Sequence, residues 1–254
     1  MSTHLGLVYL FLYGPILVLM VLSLNRAGMP TAWTGLSFAW YGKLLDSPEI
    51  LSAALNTLIV AVVSTAIATL LGTLLALGVE RRARASSALD ALLFAPMIIP
   101  DIVLAIALLS FYTLLDVTLG LHSIILSHVV FNIAFVCAVV RTRLKHFDHA
   151  IVEASIDLGA SDFTTFRRVT LPVILPGVIA GALLAFTLSV DEFIIAFFTA
   201  GPGSSSTTLP MRIYSMIRFG VTPEINAMAT IIMLVSFVLV FASQRLNRGA
   251  VTGE

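Results

Sequence analysis

The chain has 254 residues, 59% of them hydrophobic and only 11% charged, with a mean hydropathy of +1.04 and 14 basic residues balanced by 14 acidic ones. A soluble domain carries about a quarter charged residues, so this composition excludes an ordinary water-soluble enzyme, and a net charge of zero gives no electrostatic case for nucleic acid. The single cysteine, Cys137, lies in an apolar run and reads as a small core residue, which excludes a disulfide framework within the chain.

A membrane-crossing helix needs about 20 mostly apolar residues to span roughly 30 Å of hydrocarbon. The first such run is Leu5–Leu24, which has no basic region before it and is too long for an ordinary signal peptide, so it is expected to be a retained span. The loop Arg26–Ile50 follows, with Trp33, Trp40 and Tyr41 suited to an aromatic belt at the membrane surface or to an external partner. The second expected span is Leu51–Val79, and Arg81, Arg82 and Arg84 close it.

The third expected span, Leu89–Leu115, contains Pro96, Pro100 and Asp101. The prolines interrupt helical hydrogen bonding and free carbonyls near Asp101. Counted along a straight helix from Leu89, Asp101 lies about 18 Å in, slightly past the midplane. An ionised carboxylate at such depth costs about 2.5–3.5 kcal/mol even on lenient insertion scales, so it is expected to face a cavity or a partner.

The fourth span, Leu121–Val140, carries His122 and His128. Six residues apart, they fall on different helix faces, which favours hydrogen-bonding roles over a metal site. His146 and His149 flank Asp148 just beyond it, and the chain contains neither a His-Glu-x-x-His motif nor a Gly-x-Ser-x-Gly elbow.

A polar island separates this span from the next. Ala150 to Gly159 is a helix-forming run with a glycine suited to a left-handed C-cap. Ser161 or Asp162 is positioned to N-cap a second short helix, which Pro172 is expected to stop. Two short amphipathic helices outside the membrane make a protein-docking knob, and a solvated loop is the plainer alternative.

The fifth expected span, Leu175–Ala200, contains Asp191 and Glu192, about 22 and 24 Å along it when counted from Pro176. Neighbouring helical positions point about 100° apart, so one acid can face a pathway while the other contacts a neighbour. No Lys or Arg occurs inside any of the expected spans to neutralise these acids, which leaves a cationic solute or a partner subunit as the counter-charge, unless the acids are protonated or bonded to nearby polar groups. Phe186, Phe193, Phe197 and Phe198 surround them and are expected mainly to pack. Gly201-Pro202-Gly203 opens a turn, after which Leu209, Ile213, Met216 and Ile217 recur opposite Arg212, Ser215 and Arg218, predicting a short surface helix. Ile225–Ser243 is the sixth expected span.

The basic residues orient these spans. Arg81, Arg82, Arg84, Arg141, Arg143, Lys145, Arg167, Arg168, Arg245 and Arg248 share one side, and only Arg26, Lys43, Arg212 and Arg218 fall on the other. The positive-inside rule then predicts both termini and the polar island on the cytoplasmic side. No internal repeat is evident, and residues 1–254 are expected to form a single membrane domain.

The island, Glu153-Ala154-Ser155-Ile156-Asp157-Leu158-Gly159 with Val169-Thr170-Leu171-Pro172 nine residues later, resembles the EAA loop of ABC-importer permeases, with Ser155 for the second alanine and Val169 for isoleucine. Met97-Ile98-Ile99-Pro100-Asp101-Ile102-Val103, Phe186-Thr187-Leu188-Ser189-Val190-Asp191-Glu192, Thr208-Leu209-Pro210, and Gly220-Val221-Thr222-Pro223 with the residues after it are similar to the spermidine/putrescine-type permeases. The resemblance implies an all-α fold of six transmembrane helices, the type I ABC-importer permease fold, in a bacterial inner membrane. It implies residues 141–175 as the loop coupling to an ATPase, with Glu153, Ala154, Ser155, Gly159, Leu171 and Pro172 at the docking surface, and Asp101, Asp191 and Glu192 along the solute pathway. The implied partners are a second permease subunit, two ATP-binding subunits that hold ATP and magnesium, and an external substrate-binding protein. No cofactor is expected in this chain. Its closest approach to a phosphate loop, Gly42-Lys43, has Leu44 where the magnesium-binding hydroxyl belongs and Ser37 where the first glycine belongs. The solute is expected to be a polyamine or another small solute, and a stand-alone cation channel or secondary carrier is the alternative that lacks any use for an ATPase dock.

Overall fold

Apolar runs this long can satisfy their backbone groups in a lipid environment only as helices, and helices dominate the computed structural model, which describes residues 2–28, 33–81, 87–145, 147, 148, 150–218, 220–235 and 237. In chain order they are α1 Ser2–Leu22, α2 Ala39–Leu45, α3 Pro48–Arg81, α4 Ser87–Ile98, α5 Asp101–Leu114, α6 Leu121–Leu144, α7 Ala150–Asp157, α8 Asp162–Thr165, α9 Leu171–Asp191, α10 Ile194–Thr199, α11 Leu209–Ile217 and α12 Pro223–Val235. Among the described residues four stretches are long and apolar enough to cross a membrane, His4–Leu22, Pro48–Glu80, Leu121–Leu144 and Asp162–Asp191, and the bent pair α4–α5, taken as one span, makes a fifth. α12 begins the sixth expected span, whose remainder lies largely outside the described residues, as do His146, His149, Arg82, Arg84, Arg245 and Arg248.

Three boundaries depart from the sequence expectation, one of them in the fifth span, which is not continuous to Ala200 but breaks at Glu192 between α9 and α10. The third span is not one straight helix: α4 and α5 meet at an angle of 110°. Pro100 is the N-cap of α5 (φ −54°, ψ 136°), and a residue before proline is driven out of the helical region, so the chain turns at Ile99 and Pro100 while Pro96 stays inside α4. A depth for Asp101 counted along a straight rod therefore does not hold, because Asp101 is the first residue of a new helix.

The second short helix does not stop at Pro172 either. It runs from Asp162 through a π-helical turn, Phe166–Thr170, into α9. In that turn the Leu171 N–H reaches back to the Phe166 carbonyl. This wider bonding accommodates the proline ring, which in a regular α-helix clashes with the carbonyl four residues earlier.

The chain divides into two compact units, Ser52–Met211 and Met1–Leu51 with Arg212–Glu254. In the first, α9 packs along α6, and small residues set the approach: a Cβ on Gly181 would stand 3.4 Å from the Val136 Cα, and one on Gly177 would stand 2.9 Å from the Arg143 Cβ. Around this crossing Val136, Val140, Ile174 and Ala185 form a buried cluster with Ala76 of α3. A second cluster joins Ala105 of α5, Phe131 of α6 and Ile195 of α10, and a third joins Val60 of α3, Ile124 of α6 and Ala196 of α10. The turn after α10 is pinned to α3 where the Asn56 side-chain amide donates to the carbonyls of Ser205 (3.1 Å) and Thr207 (3.0 Å).

In the other unit α1 is apolar and exposed on all its faces, with Phe11 81% exposed, which suits lipid or a partner subunit and not water. The loop after it is tied down by its aromatic residues. Trp40 Nε1 donates to the Asn25 carbonyl at 2.8 Å, Tyr41 and Ser23 hydroxyls lie 2.7 Å apart, and the Lys43 ammonium stands 5.2 Å from the centre of the Trp40 ring. Arg212 on α11 pairs with Glu49 at the start of α3.

Candidate coupling hairpin and membrane carboxylates

The polar island folds as a hairpin of α7 and α8. Gly159 has φ +84°, and the Gly159 N–H bonds the Ile156 carbonyl (2.8 Å) while the Ala160 N–H bonds the Ser155 carbonyl (3.1 Å). This is the two-bond C-terminal closure that glycine in the left-handed region permits. Of the two candidate caps, Ser161 takes the position, its Oγ accepting from the Thr164 N–H at 3.4 Å. The arms are clasped by the Ser155 and Thr165 hydroxyls, 3.0 Å apart.

The hairpin presents a surface that water alone does not explain. Leu158 at its tip is 89% exposed and Phe163 is 71% exposed, with Ile151 and Ile156 half-exposed nearby. Glu153 and Ala154 are exposed beside them, Ser155 is half-buried and Pro172 is exposed. Leu171 points the other way and packs on the Val136–Ile174 cluster, and Arg143 Nε donates to the Val173 carbonyl at 3.2 Å. The hairpin is thus joined to the membrane helices through α6 and α9, while a cavity of about 400 Å³ lined by Leu77, Phe147, Val152 and Phe166 separates it from α3.

The three carboxylates fall at two helix breaks. Asp101 is exposed at the first position of α5, where the positive end of the helix dipole favours an acid. Asp191 is the last residue of α9 and is exposed. Glu192, the next residue, leaves the helix (φ −69°, ψ 119°) and turns inward, its side chain 6% exposed. Its two oxygens accept the N–H groups of Ile195 and Ala196, each at 2.9 Å, at the start of α10. α10 packs on α5, which brings Asp101 within electrostatic range of Glu192.

His128 completes this arrangement, a residue whose role sequence reading reached only as hydrogen bonding. On α6 and almost wholly buried, it places Nδ1 2.6 Å from the Ser189 Oγ and Nε2 3.6 Å from the Glu192 Oε2. Ser189 in turn lies 3.1 Å from the Ser64 hydroxyl of α3. Among the described residues His122 bonds locally, to the Thr118 carbonyl at 2.7 Å. Phe198 packs in the Ala105–Phe131–Ile195 cluster, and Phe197 contacts it edge-on. No group of three or more potential metal ligands occurs among the described residues.

Residues 68–252 match the family model for the binding-protein-dependent transport system inner membrane component. The chain belongs to that family. It is a membrane permease component of the ABC-importer class and not itself an enzyme. As a member it is 43% identical over 248 residues to the spermidine/putrescine transport system permease protein PotC of Escherichia coli strain K12, covering 97% of this chain and 93% of that protein. It is 41% identical over 233 residues to the putrescine transport system permease protein PotI of the same strain, covering 89% of this chain and 82% of that one. Among solved structures, the bacterial ABC transporter that imports the acidic polysaccharide alginate shares the permease fold at a TM-score of 0.77, with 14% identity, 96% of this chain and 94% of that chain.

Proposed function

We propose that this family member is one of two permease subunits of an ATP-driven importer that carries putrescine or spermidine across the inner membrane. The observation that carries the reading is similarity above 40% along nearly the whole chain to two permeases that are both named for polyamine transport. The chemistry of the spans supports it. A polyamine is a flexible alkyl chain bearing ammonium groups, and Asp101 and Asp191 put exposed carboxylates at helix breaks in a region without lysine or arginine. Such a site has to bind weakly, since only a difference in affinity between its two conformations drives release.

The partners follow from the hairpin. Its exposed Leu158, Phe163 and Glu153 suit a docking groove on one of two ATP-binding subunits, which hold ATP and magnesium, and the distribution of basic residues along the sequence argues for cytoplasmic termini. An external binding protein delivers the solute to the opposite face. Closure of the ATPase pair moves the hairpin, and α9 carries that motion to Asp191. No step of chemistry occurs on this chain.

The test is ATPase activity of the reconstituted complex, with its ATP-binding, second permease and binding-protein subunits, titrated with putrescine and spermidine. Stimulation that requires the binding protein is the expected result. A complex stimulated only by another solute discards the polyamine reading and keeps the permease.

A further inference from the structure

Two acids stand side by side at the α9–α10 break, and their surroundings differ completely. Asp191 is exposed at the C-terminal end of α9, where the helix dipole disfavours a negative charge. Nothing in the local structure accounts for an acid there. Glu192 is enclosed, and both of its oxygens are taken up by the backbone N–H groups of Ile195 and Ala196. Those amides begin a helix that has no turn before it to satisfy them, and a carboxylate is the strongest acceptor available for such groups.

The remaining neighbours of Glu192 reinforce the point. His128 Nε2 faces its Oε2 from α6, while His128 Nδ1 is held by Ser189 of α9, which is held by Ser64 of α3. One chain of polar contacts therefore links α3, α6, α9 and α10 at the place where the fifth span is broken. Asp101, a like charge, also lies within electrostatic range of this carboxylate.

We infer that Glu192 and His128 are a positioning pair that holds the break between α9 and α10, leaving Asp191 as the member of the acid pair that meets a cation. The division concerns architecture first, and only its second half rests on the cationic-solute reading given above.

The experiment uses the assembled complex in lipid nanodiscs and follows amide hydrogen exchange of the segment Ile194–Thr199 by mass spectrometry. Glu192→Ala removes two charge-assisted acceptors, so exchange in that segment rises about tenfold or more. Glu192→Gln keeps one amide oxygen as acceptor and gives an intermediate rate. His128→Ala, which removes the ring packed beside Glu192, accelerates exchange, and His128→Gln, which can keep a hydrogen bond to Ser189, restores part of the protection. Asp191→Asn leaves exchange at the wild-type rate while solute uptake falls.

Wild-type exchange in Glu192→Ala, or acceleration by Asp191→Asn as large as that by Glu192→Ala, overturns the positioning role. A Glu192→Gln complex with wild-type exchange that loses uptake as fully as Asp191→Asn overturns the division, because Glu192 then acts on the cargo. If Glu192→Ala does not assemble, Glu192→Gln and His128→Ala carry the comparison on the same criteria. The exchange measurement needs no solute, so failure of the polyamine reading and failure of this one are distinguishable.

Discussion

The Ser155 Oγ lies 3.0 Å from the Thr165 Oγ1, closing the two arms of the α7–α8 hairpin across the Gly159 turn. Ser155 is the position at which the chain departs from the Glu-Ala-Ala pattern, and the hydroxyl that replaces a methyl hydrogen is used. A neutral hydrogen bond of this kind contributes about 1 kcal/mol net. Ser155→Ala and Thr165→Val are each expected to lower hairpin stability by about that amount, and the double variant by less than the sum. Thermal unfolding of the four combinations in the assembled complex reads the coupling, and strict additivity would show that the two hydroxyls do not interact.

Gly159 holds φ +84° with no atom within 4 Å of where a Cβ would sit. Substitution therefore meets no clash and costs only the left-handed conformation, about 1–2 kcal/mol for alanine and less for asparagine. Gly159→Ala is expected to weaken solute-stimulated ATPase activity more than Gly159→Asn does. Equal activities would mean that the turn geometry does not matter to coupling.

Gly72 is a steric matter instead. A Cβ there would lie 2.8 Å from the Val136 Cβ and 3.0 Å from the Ile133 carbonyl oxygen, so α3 and α6 cannot hold their spacing around alanine. Overpacking of this kind costs about 1–3 kcal/mol. Gly72→Ala should reduce the yield and melting temperature of the complex, and Val136→Ala in the same chain should recover part of both. A Gly72→Ala complex as stable as the wild type would show that the helices separate freely.

Asn132 is wholly buried on α6, one turn after His128, and neither its amide nitrogen nor its oxygen has a hydrogen-bond partner among the described residues. A buried polar group in that condition costs about 1–3 kcal/mol, while an apolar side chain of similar shape does not. Asn132→Leu is expected to raise the melting temperature of the complex. A fall would show that the amide has a partner that the described residues do not supply.

The helices that sequence reading placed best are those whose ends coincide with the ends of an apolar run. Expected spans Leu5–Leu24, Leu51–Val79 and Leu121–Val140 correspond to α1, α3 and α6, each longer or shifted by a few residues. Proline accounts for the larger misses in both directions. Pro100 breaks the third span through its effect on Ile99, whereas Pro172 and Pro176 lie within a helix that continues past them, and composition does not distinguish the two outcomes. What separates them is the π-turn before Pro172, a backbone adjustment with no side-chain signature. The hairpin was more legible, because a glycine C-cap followed by a serine N-cap writes the turn into the sequence. The contact of His128 with Ser189 and Glu192 was not, since it joins residues more than sixty positions apart through tertiary packing alone.

The passage of the helix through Pro172 has a mechanical meaning. From Asp162 to Asp191 the chain is one rod of 30 residues, about 45 Å long, with the hairpin at one end and the exposed carboxylate at the other. No residue between those ends leaves the helical conformation, the π-turn at Phe166–Thr170 included. On the coupling role proposed above, a displacement imposed at the Gly159 turn would pass along this helix, and the backbone first leaves the helix at Glu192, one residue beyond the exposed Asp191. On that proposal, work done at the hairpin would reach the side chain offered to a cation, and the capped break at Glu192 marks the end of the lever.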